Sequence, residues 1–370
     1  MKKAIIHLNC LGRGGAEKVG VTLAAEMVKK GIGVIIATEW TDKVEYPLPE
    51  GVIRENVGLS DAEEKLSRLK KINLRKARLK ALIERTSPDV VFALGGNLNY
   101  RAVSATRGTG VPAVVSVRSD PNVYYASLSQ KILSHRYYKA AEGIVFQTEG
   151  ARDFFGPDKA RKSAIIVNPI DKKYIGMAPP AKRRKVIVSA SRFVYVKDHM
   201  TMVKAFEKVL EKHPDAIMEL YGGKGADNEI FQVKEWVRSH GLTEKILFMG
   251  SSIELEKKLH DASAFVLSSV YEGMPNALME AMAMGLPCIS SDCPPGGPRA
   301  LIEEGKNGLL FPVGDVDALS KAMIRILDDP EAAEEMGKRA AEKMSAYTAE
   351  NITDTWLEYA ESIMRKNSEC

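Results

Sequence analysis

The 370-residue chain is short of cysteine and of aromatic residues and has no long apolar run, and each shortage removes a class of protein. Four cysteines, Cys10, Cys288, Cys293 and Cys370, make no CxxC pair and do not recur at zinc-ligand spacing. A disulfide framework and a structural zinc site are therefore not expected, and a reducing cytoplasm is the simplest setting. No stretch approaches the roughly 18 uncharged apolar residues of a membrane span, so any membrane contact should be peripheral. The opening AIIHLNCL is interrupted by His7 and Asn9 and has no small-residue cleavage site, so it reads as a first strand and not a leader. Proline, glycine and serine form no low-complexity tract, which leaves every segment able to fold.

What is present is length enough for two cores. Short β-branched runs alternate with longer helical patterns from Lys3 onward: KAIIHLN, GVIIATE, DVVFALG, PAVVSVRS, GIVFQT and SAIIVN. The pattern pauses around MAPPAKRRK and restarts with KVIVSAS, AIMELYGG, KILFMG, AFVLSS, PCISSD and NGLLFP. Strands apolar on both faces fit parallel sheets covered by helices. The expected organisation is a Rossmann-like α/β domain over 1–170, a linker over 171–185, a second such domain over 186–345, and a final helix over 346–370 that packs back across the first domain. Two lobes imply a cleft, with ligands at the carboxyl edges of the strands. Charge divides unevenly: residues 1–170 hold 27 Lys/Arg against 17 Asp/Glu, and residues 171–370 hold 26 against 31. A basic first half points to an anionic partner, whether membrane, nucleic acid or phosphorylated substrate.

The most informative segment is SSVYEGMPNALMEAMAMGLP, which begins where the strand AFVLSS ends. Pro275 suits a first helical position and Gly285 a stop, predicting a helix of about ten residues. Leu278, Met279, Ala281, Met282, Ala283 and Met284 point in every direction, so that helix should have no solvent face. Glu280 is the exception, and a carboxylate there needs donors or a cation. A partner arginine or backbone amides would satisfy it without any function. Glu272 lies in the preceding loop, Gly273 permits close backbone approach, and the amides of Met274, Asn276 and Ala277 lie near a helix N-terminus suited to an anion. Carboxylates on both sides of an anion-binding turn match the hydroxyls at the two ends of a sugar nucleotide.

The block EGMPNALME followed by AMAMGLP strongly resembles the E-x7-E signature of retaining glycosyltransferases of family 4, the sucrose-synthase-like group with the GT-B fold. GRGGAE, SRFVYVKD, LYGGKG, SSDCPPGGPRALIEEGKNGLLF and PVGDVDALSKAMIRILDDP add to the resemblance, which is dense in the second half and looser in the first. It implies two Rossmann-like parallel-sheet domains facing across a cleft, a UDP-sugar donor and no metal or other cofactor. Arg192 and Lys197, matching R-x4-K, would hold the diphosphate; Glu272 with Gly273, Met274, Pro275, Asn276 and Ala277 would hold sugar and phosphates; Glu280 would bind the ribose. Gly14 and Gly15 would close over the donor phosphates. The acceptor it implies is a lipid-linked or oligosaccharide intermediate of bacterial surface glycan assembly.

Other features carry less. Gly12, Gly14 and Gly15 start a dinucleotide fingerprint whose third glycine is replaced by Glu17, leaving Glu39 as a possible ribose acid of an NAD enzyme. Asp315 to Asp317 imitate a metal-binding D-x-D, but Asp315 is better placed as a helix N-cap. Arg118 and Asp120, beyond the strand PAVVSV, are acceptor-site candidates with Asp120 a candidate for catalysis, and a loop-fixing pair is an equal alternative. Residues 65–85 carry nine Lys/Arg and one acid in a basic amphipathic pattern that could meet anionic lipid at the inner membrane face. No aromatics interleave there, which disfavours nucleic acid. A nucleotide-sugar epimerase and a non-catalytic membrane-surface binding protein are the competing classes.

Overall fold

The computed structural model describes residues 1–12, 14–225 and 227–368, without the last two side chains; Arg13, Ala226, Glu369 and the fourth cysteine, Cys370, lie outside the described residues. The chain forms two compact α/β units, one of Met1–Pro169 with the C-terminal segment from Ala349, the other of Ile170–Thr348.

The first unit contains the strands β1 (Lys3–Leu8), β2 (Gly33–Thr38), β3 (Ile53–Asn56), β4 (Val90–Leu94), β5 (Ala113–Val117), β6 (Gly143–Phe146) and β7 (Ser163–Ile165). All pair in parallel, in the order β3-β2-β1-β4-β5-β6-β7. Its helices are α1 (Gly15–Lys29), α2 (Arg68–Thr86), α3 (Gly96–Thr106), α4 (Pro121–Tyr124), α5 (Leu128–Ala140), α6 (Glu149–Asp153) and α7 (Pro157–Ala160). The apolar runs became strands because both sheet faces are covered: β4, VVFAL, is buried at every position. The strand β3 carries no such run. Three of the four residues of its sequence IREN are polar, and it lies at the sheet edge, where one flank faces solvent. The basic helix starts at Arg68, after a separate 3-10 turn at Glu63–Lys65, so Lys65 is not part of it.

The second unit contains β8 (Arg184–Ala190), β9 (Ile217–Tyr221), β10 (Ile246–Gly250), β11 (Ala262–Leu267), β12 (Cys288–Ser291) and β13 (Leu309–Phe311), parallel in the order β10-β9-β8-β11-β12-β13. Its helices are α8 (His199–Lys212), α9 (Glu229–Ser239), α10 (Leu255–Leu259), α11 (Asn276–Ala283), α12 (Gly297–Leu301), α13 (Val316–Asp328) and α14 (Pro330–Met344). A core of Met202, Phe206, Met218, Val266, Phe311 and Met323 fills one side of this sheet.

The last helix, α15 (Ala349–Ser368), belongs to the first unit and packs on α1. Trp356 meets Phe92 edge-on at 5.6 Å, and the Tyr359 hydroxyl donates to the Lys162 carbonyl (2.6 Å) while accepting from the Ile144 amide (2.8 Å). Among the described residues no helix is long and apolar enough to cross a membrane.

Candidate active site

In each sheet the strand order grows outward in both directions from a central pair, β1 and β4 in the first unit and β8 and β11 in the second. At such a reversal the loops beyond the two strands lead to opposite faces and leave a crevice between them, which is where open α/β sheets bind ligands.

In the second unit that crevice is bounded by Ser191–Asp198 after β8 and Ser268–Pro275 after β11. The two loops are tied together. The Ser268 hydroxyl donates toward the Lys197 and Asp198 carbonyls (2.8 and 2.9 Å), and the Val270 amide donates to the Val196 carbonyl (2.8 Å). The Lys197 ammonium pairs with a Glu272 carboxylate oxygen, and the Ser269 hydroxyl donates to the same oxygen (2.7 Å). Both residues are mostly buried, at 23% and 14% side-chain exposure. Arg192 is exposed and has no ion-pair partner among the described residues. One cation is thus balanced by an acid across the crevice and the other is open to an incoming anion.

A third loop supports the second from behind. The Glu272 amide donates to the Pro294 carbonyl (2.9 Å), and the Ser291 hydroxyl to the Ser269 carbonyl (2.6 Å). Gly297 is required here, because a Cβ would lie 1.8 Å from the Gly273 carbonyl oxygen. On the far side a Cβ on Gly222 would lie 1.8 Å from the Ser191 carbonyl oxygen, so the GGKG turn sits directly against the Arg192 loop.

The loop carrying Arg192 and Lys197 is also held by a buried polar chain. His199 donates from Nδ1 to Glu229 Oε2 (3.1 Å), its Nε2 bonds to Ser191 Oγ (3.0 Å), and its ring stacks on Phe193 at 4.2 Å. Its backbone amide donates to Glu229 Oε1 (2.9 Å). Asp198 caps α8 by accepting from the Thr201 amide (3.2 Å), in a left-handed conformation (φ 46°) that a non-glycine residue adopts at a cost.

The helix of the family block is shorter than its sequence predicts. It starts at Asn276 because Pro275 keeps an extended ψ of 104°, making proline the cap instead of the first helical residue, and no side chain caps that end. Nor is it closed on every side: Asn276, Ala277 and Glu280, one and four residues apart, form a half-buried edge. The Tyr174 hydroxyl, from the 3-10 turn at Lys172–Tyr174, bonds to the Glu280 carboxylate; burial first and the Glu280 charge second push the phenol well above its ordinary range. Asp315 caps α13 through the Ala318 amide (2.9 Å) while Asp317 pairs with Lys208, so the DVD carboxylates serve separate partners.

In the first unit Gly14 is the cap residue of α1 and Gly15 its first residue, beside the side chain of Glu17. This loop is pinned by Glu45, which accepts from the Leu11 and Asp42 amides (3.2 and 2.9 Å) and pairs with Arg54 (2.6 Å). Arg118 and Asp120 take different partners. Arg118 donates to Asn168 Oδ1 (2.6 Å), and burial lowers its guanidinium to about 10 against the opposing charge of Glu17. Asp120 is buried and caps α4, accepting from the Asn122 amide (2.9 Å). Glu39 is enclosed by Arg101 (2.8 Å), Arg75 (3.3 Å) and His7 (3.3 Å), and burial keeps His7 below its ordinary value despite that carboxylate. An acid so enclosed does not face a ribose.

The chain Ser191–His199–Glu229, the tyrosine on Glu280 and the cluster on Glu39 have no spacing that announces them. His199 alone leaves a trace, since it occupies the apolar stripe of α8 with Met202, Val203 and Phe206.

Comparison with known proteins bears on the fold and on the second unit. Residues 172–343 match the family model described as Glycosyl transferases group 1. The chain is 24% identical over 372 residues, 97% of its length and 99% of the relative's, to the N-acetylgalactosamine-N,N'-diacetylbacillosaminyl-diphospho-undecaprenol 4-alpha-N-acetylgalactosaminyltransferase of Campylobacter jejuni. It is 25% identical to the lipopolysaccharide 1,6-galactosyltransferase of Salmonella typhimurium over 66% of this chain and 67% of that one. Anabaena HepE, solved in complex with UDP-glucose, superposes with a TM-score of 0.83 at 15% identity, covering 98% of this chain and 100% of HepE. Sucrose-phosphate synthase from Thermosynechococcus elongatus gives 0.82 at 18%, covering 99% and 100%. The fold is that of GT-B structures, with two Rossmann-like α/β domains, and residues 172–343 are similar to the group 1 glycosyl transferases.

Proposed function

We propose that the chain transfers a hexose or N-acetylhexosamine from a UDP-sugar, with retention of anomeric configuration, to a lipid-linked or oligosaccharide acceptor in bacterial glycan assembly. The observation that carries this reading is the meeting of Arg192, Lys197 and Glu272 at the strand-order reversal of the second sheet. A diphosphate arriving there finds Arg192 open and can draw Lys197 from Glu272, which frees that carboxylate to accept sugar hydroxyls. The turn leading into α11 offers the amides of Gly273, Met274, Asn276 and Ala277 to the phosphates. Glu280, oriented by Tyr174, accepts the ribose hydroxyls. Charge developing on the leaving UDP is neutralised by the two side-chain cations, with no metal assigned. Gly14 and Gly15 close over the donor phosphates, Arg118 is offered to the acceptor side, and Asp120 acts there by fixing the turn that follows Arg118. HepE bound to UDP-glucose supports the donor class, and the diphospho-undecaprenol in the Campylobacter enzyme's name supports the acceptor class.

The test is transfer from UDP-sugars by the full chain and by Lys197→Ala. Removal of one fixed charge at the leaving group should lower kcat by roughly 10²–10³. Wild-type turnover in that variant, with unfolding unchanged, would remove the cation pair from the mechanism.

A further inference from the structure

From Pro121 to Ala141 the chain contains Lys131, Arg136 and Lys139 and no acidic residue. This stretch forms α4 and α5, and it places Val123, Tyr124, Leu128, Ile132 and Leu133 in solvent, with Leu128 and Ile132 at 73% and 63% exposure. Leu128 and Ile132 are one turn apart on α5. Arg136 follows one turn further along the same face, and Lys139 follows it, giving an aliphatic end and a cationic end to one stripe.

The helix cannot roll to hide its aliphatic residues. Its inner face is locked by Tyr138, whose hydroxyl meets Tyr125 (2.9 Å) and accepts from Asn99 (2.8 Å), and whose ring packs on Phe155 at 4.6 Å. A capping box between Ser127 and Gln130 fixes its start. The outward display of Leu128, Ile132 and Leu133 is therefore a fixed property of the first unit.

We propose that the α4–α5 face docks the protein onto an anionic lipid bilayer, its aliphatic end entering the headgroup boundary and Arg136 and Lys139 meeting lipid phosphates. Charge complementarity selects this occupant. A stripe with cations at one end, aliphatics at the other and no acid within it fits a surface that is anionic above and apolar below. The more basic helix α2 is a weaker match. Lys71, Arg75, Arg78, Lys80 and Arg85 are already paired with Glu64, Glu39, Glu63, Glu84 and Glu55. Five of its eight cations are thus engaged, which its sequence alone conceals, and only Arg68, Lys70 and Lys76 have no ion-pair partner among the described residues.

Docking is independent of sugar transfer and is measured without donor or acceptor. The full chain is sedimented with vesicles of phosphatidylcholine alone or mixed with phosphatidylglycerol. Binding is expected only to the anionic vesicles and should weaken as salt is raised. Leu128→Asp with Ile132→Asp, and separately Arg136→Glu with Lys139→Glu, should each reduce partitioning about tenfold or more. Lys70→Glu with Lys76→Glu on α2 should leave it within about twofold. All of these positions are on the surface, so thermal unfolding should match the wild type and exclude a folding defect. Failure of the wild type to bind anionic vesicles, retention of binding by both α5 variants, or loss confined to the α2 variant would each overturn the assignment.

Discussion

The two units share a parallel sheet with one reversal of strand order, yet they treat charge at the carboxyl edge differently. In the second unit the charged residues stand in the loops themselves: Arg192 is open, and Lys197 is held by a single acid that a diphosphate could displace. In the first unit the edge is built on charges turned inward. Glu39 is surrounded by Arg75, Arg101 and His7, and Arg118, half-buried, donates to Asn168. The same topology thus leaves an exposed cation in the loops of one unit and paired charges in the other. Net charge pointed the opposite way, since the first half is the basic one. What decides anion binding is which cations lack partners.

The comparison is most severely tested at Arg101. If the Glu39 cluster is structural, Arg101→Ala leaves a buried carboxylate with one cation fewer and should destabilise the chain by about 3 kcal/mol in urea unfolding. Arg192→Ala, which removes an exposed and unpaired cation, should change stability by no more than about 0.5 kcal/mol while weakening donor binding. Equal stability losses for the two variants would erase the distinction between the units.

That contrast also explains what the sequence made legible. Twelve of the thirteen strands announce themselves as apolar runs because parallel strands are covered on both faces, and only the polar edge strand IREN escapes. The proposed donor site is legible because Arg192 with Lys197, and Glu272 with Glu280, are each local in sequence and follow strand ends. The first unit's site is not, because Glu39 finds Arg75 and Arg101 only through the packing of α2 and α3 over β1 and β2. Glu280 lies between these cases. Its need for a partner follows from the apolar helix around it, but Tyr174, far upstream, is supplied by the fold.

A smaller effect sharpens the account of the second unit. His199 touches no substrate in this reading and acts as a positioning residue, joining Ser191 to Glu229 beneath the Arg192–Lys197 loop. His199→Gln should raise the donor KM and reduce kcat/KM about tenfold, equivalent to roughly 1.4 kcal/mol. In a Lys197→Ala background the same change should add little, because coupled residues lose less together than the sum of their separate losses. Full additivity of the two changes would mean that the buried chain supports the fold generally and not this loop.

The least effect is expected where the first unit comes nearest to the second in design, at the loop before α1. Glu45 there ties Leu11 to Asp42 as Ser268 ties the two loops of the second unit, and pairing with Arg54, helped by the Asp42 and Leu11 amides, lowers its carboxyl from 4.5 to about 2. A group whose acidity is strengthened by folding contributes stability that is fully present above its unfolded pKa and is lost as pH falls toward the folded one. The contribution of Glu45 should accordingly be complete above about pH 5 and fade between about pH 4.5 and 2. Its carboxylate is partly screened by water, so Glu45→Gln should reduce stability at neutral pH by about 1 kcal/mol, less than the full shift implies. Denaturant midpoints of the two proteins, compared at pH 7 and pH 3.5, should converge at the lower pH. A difference that stays constant across that range would mean that the glutamate holds the loop by shape and hydrogen bonding alone, and that its charge has no part in placing Gly14 and Gly15.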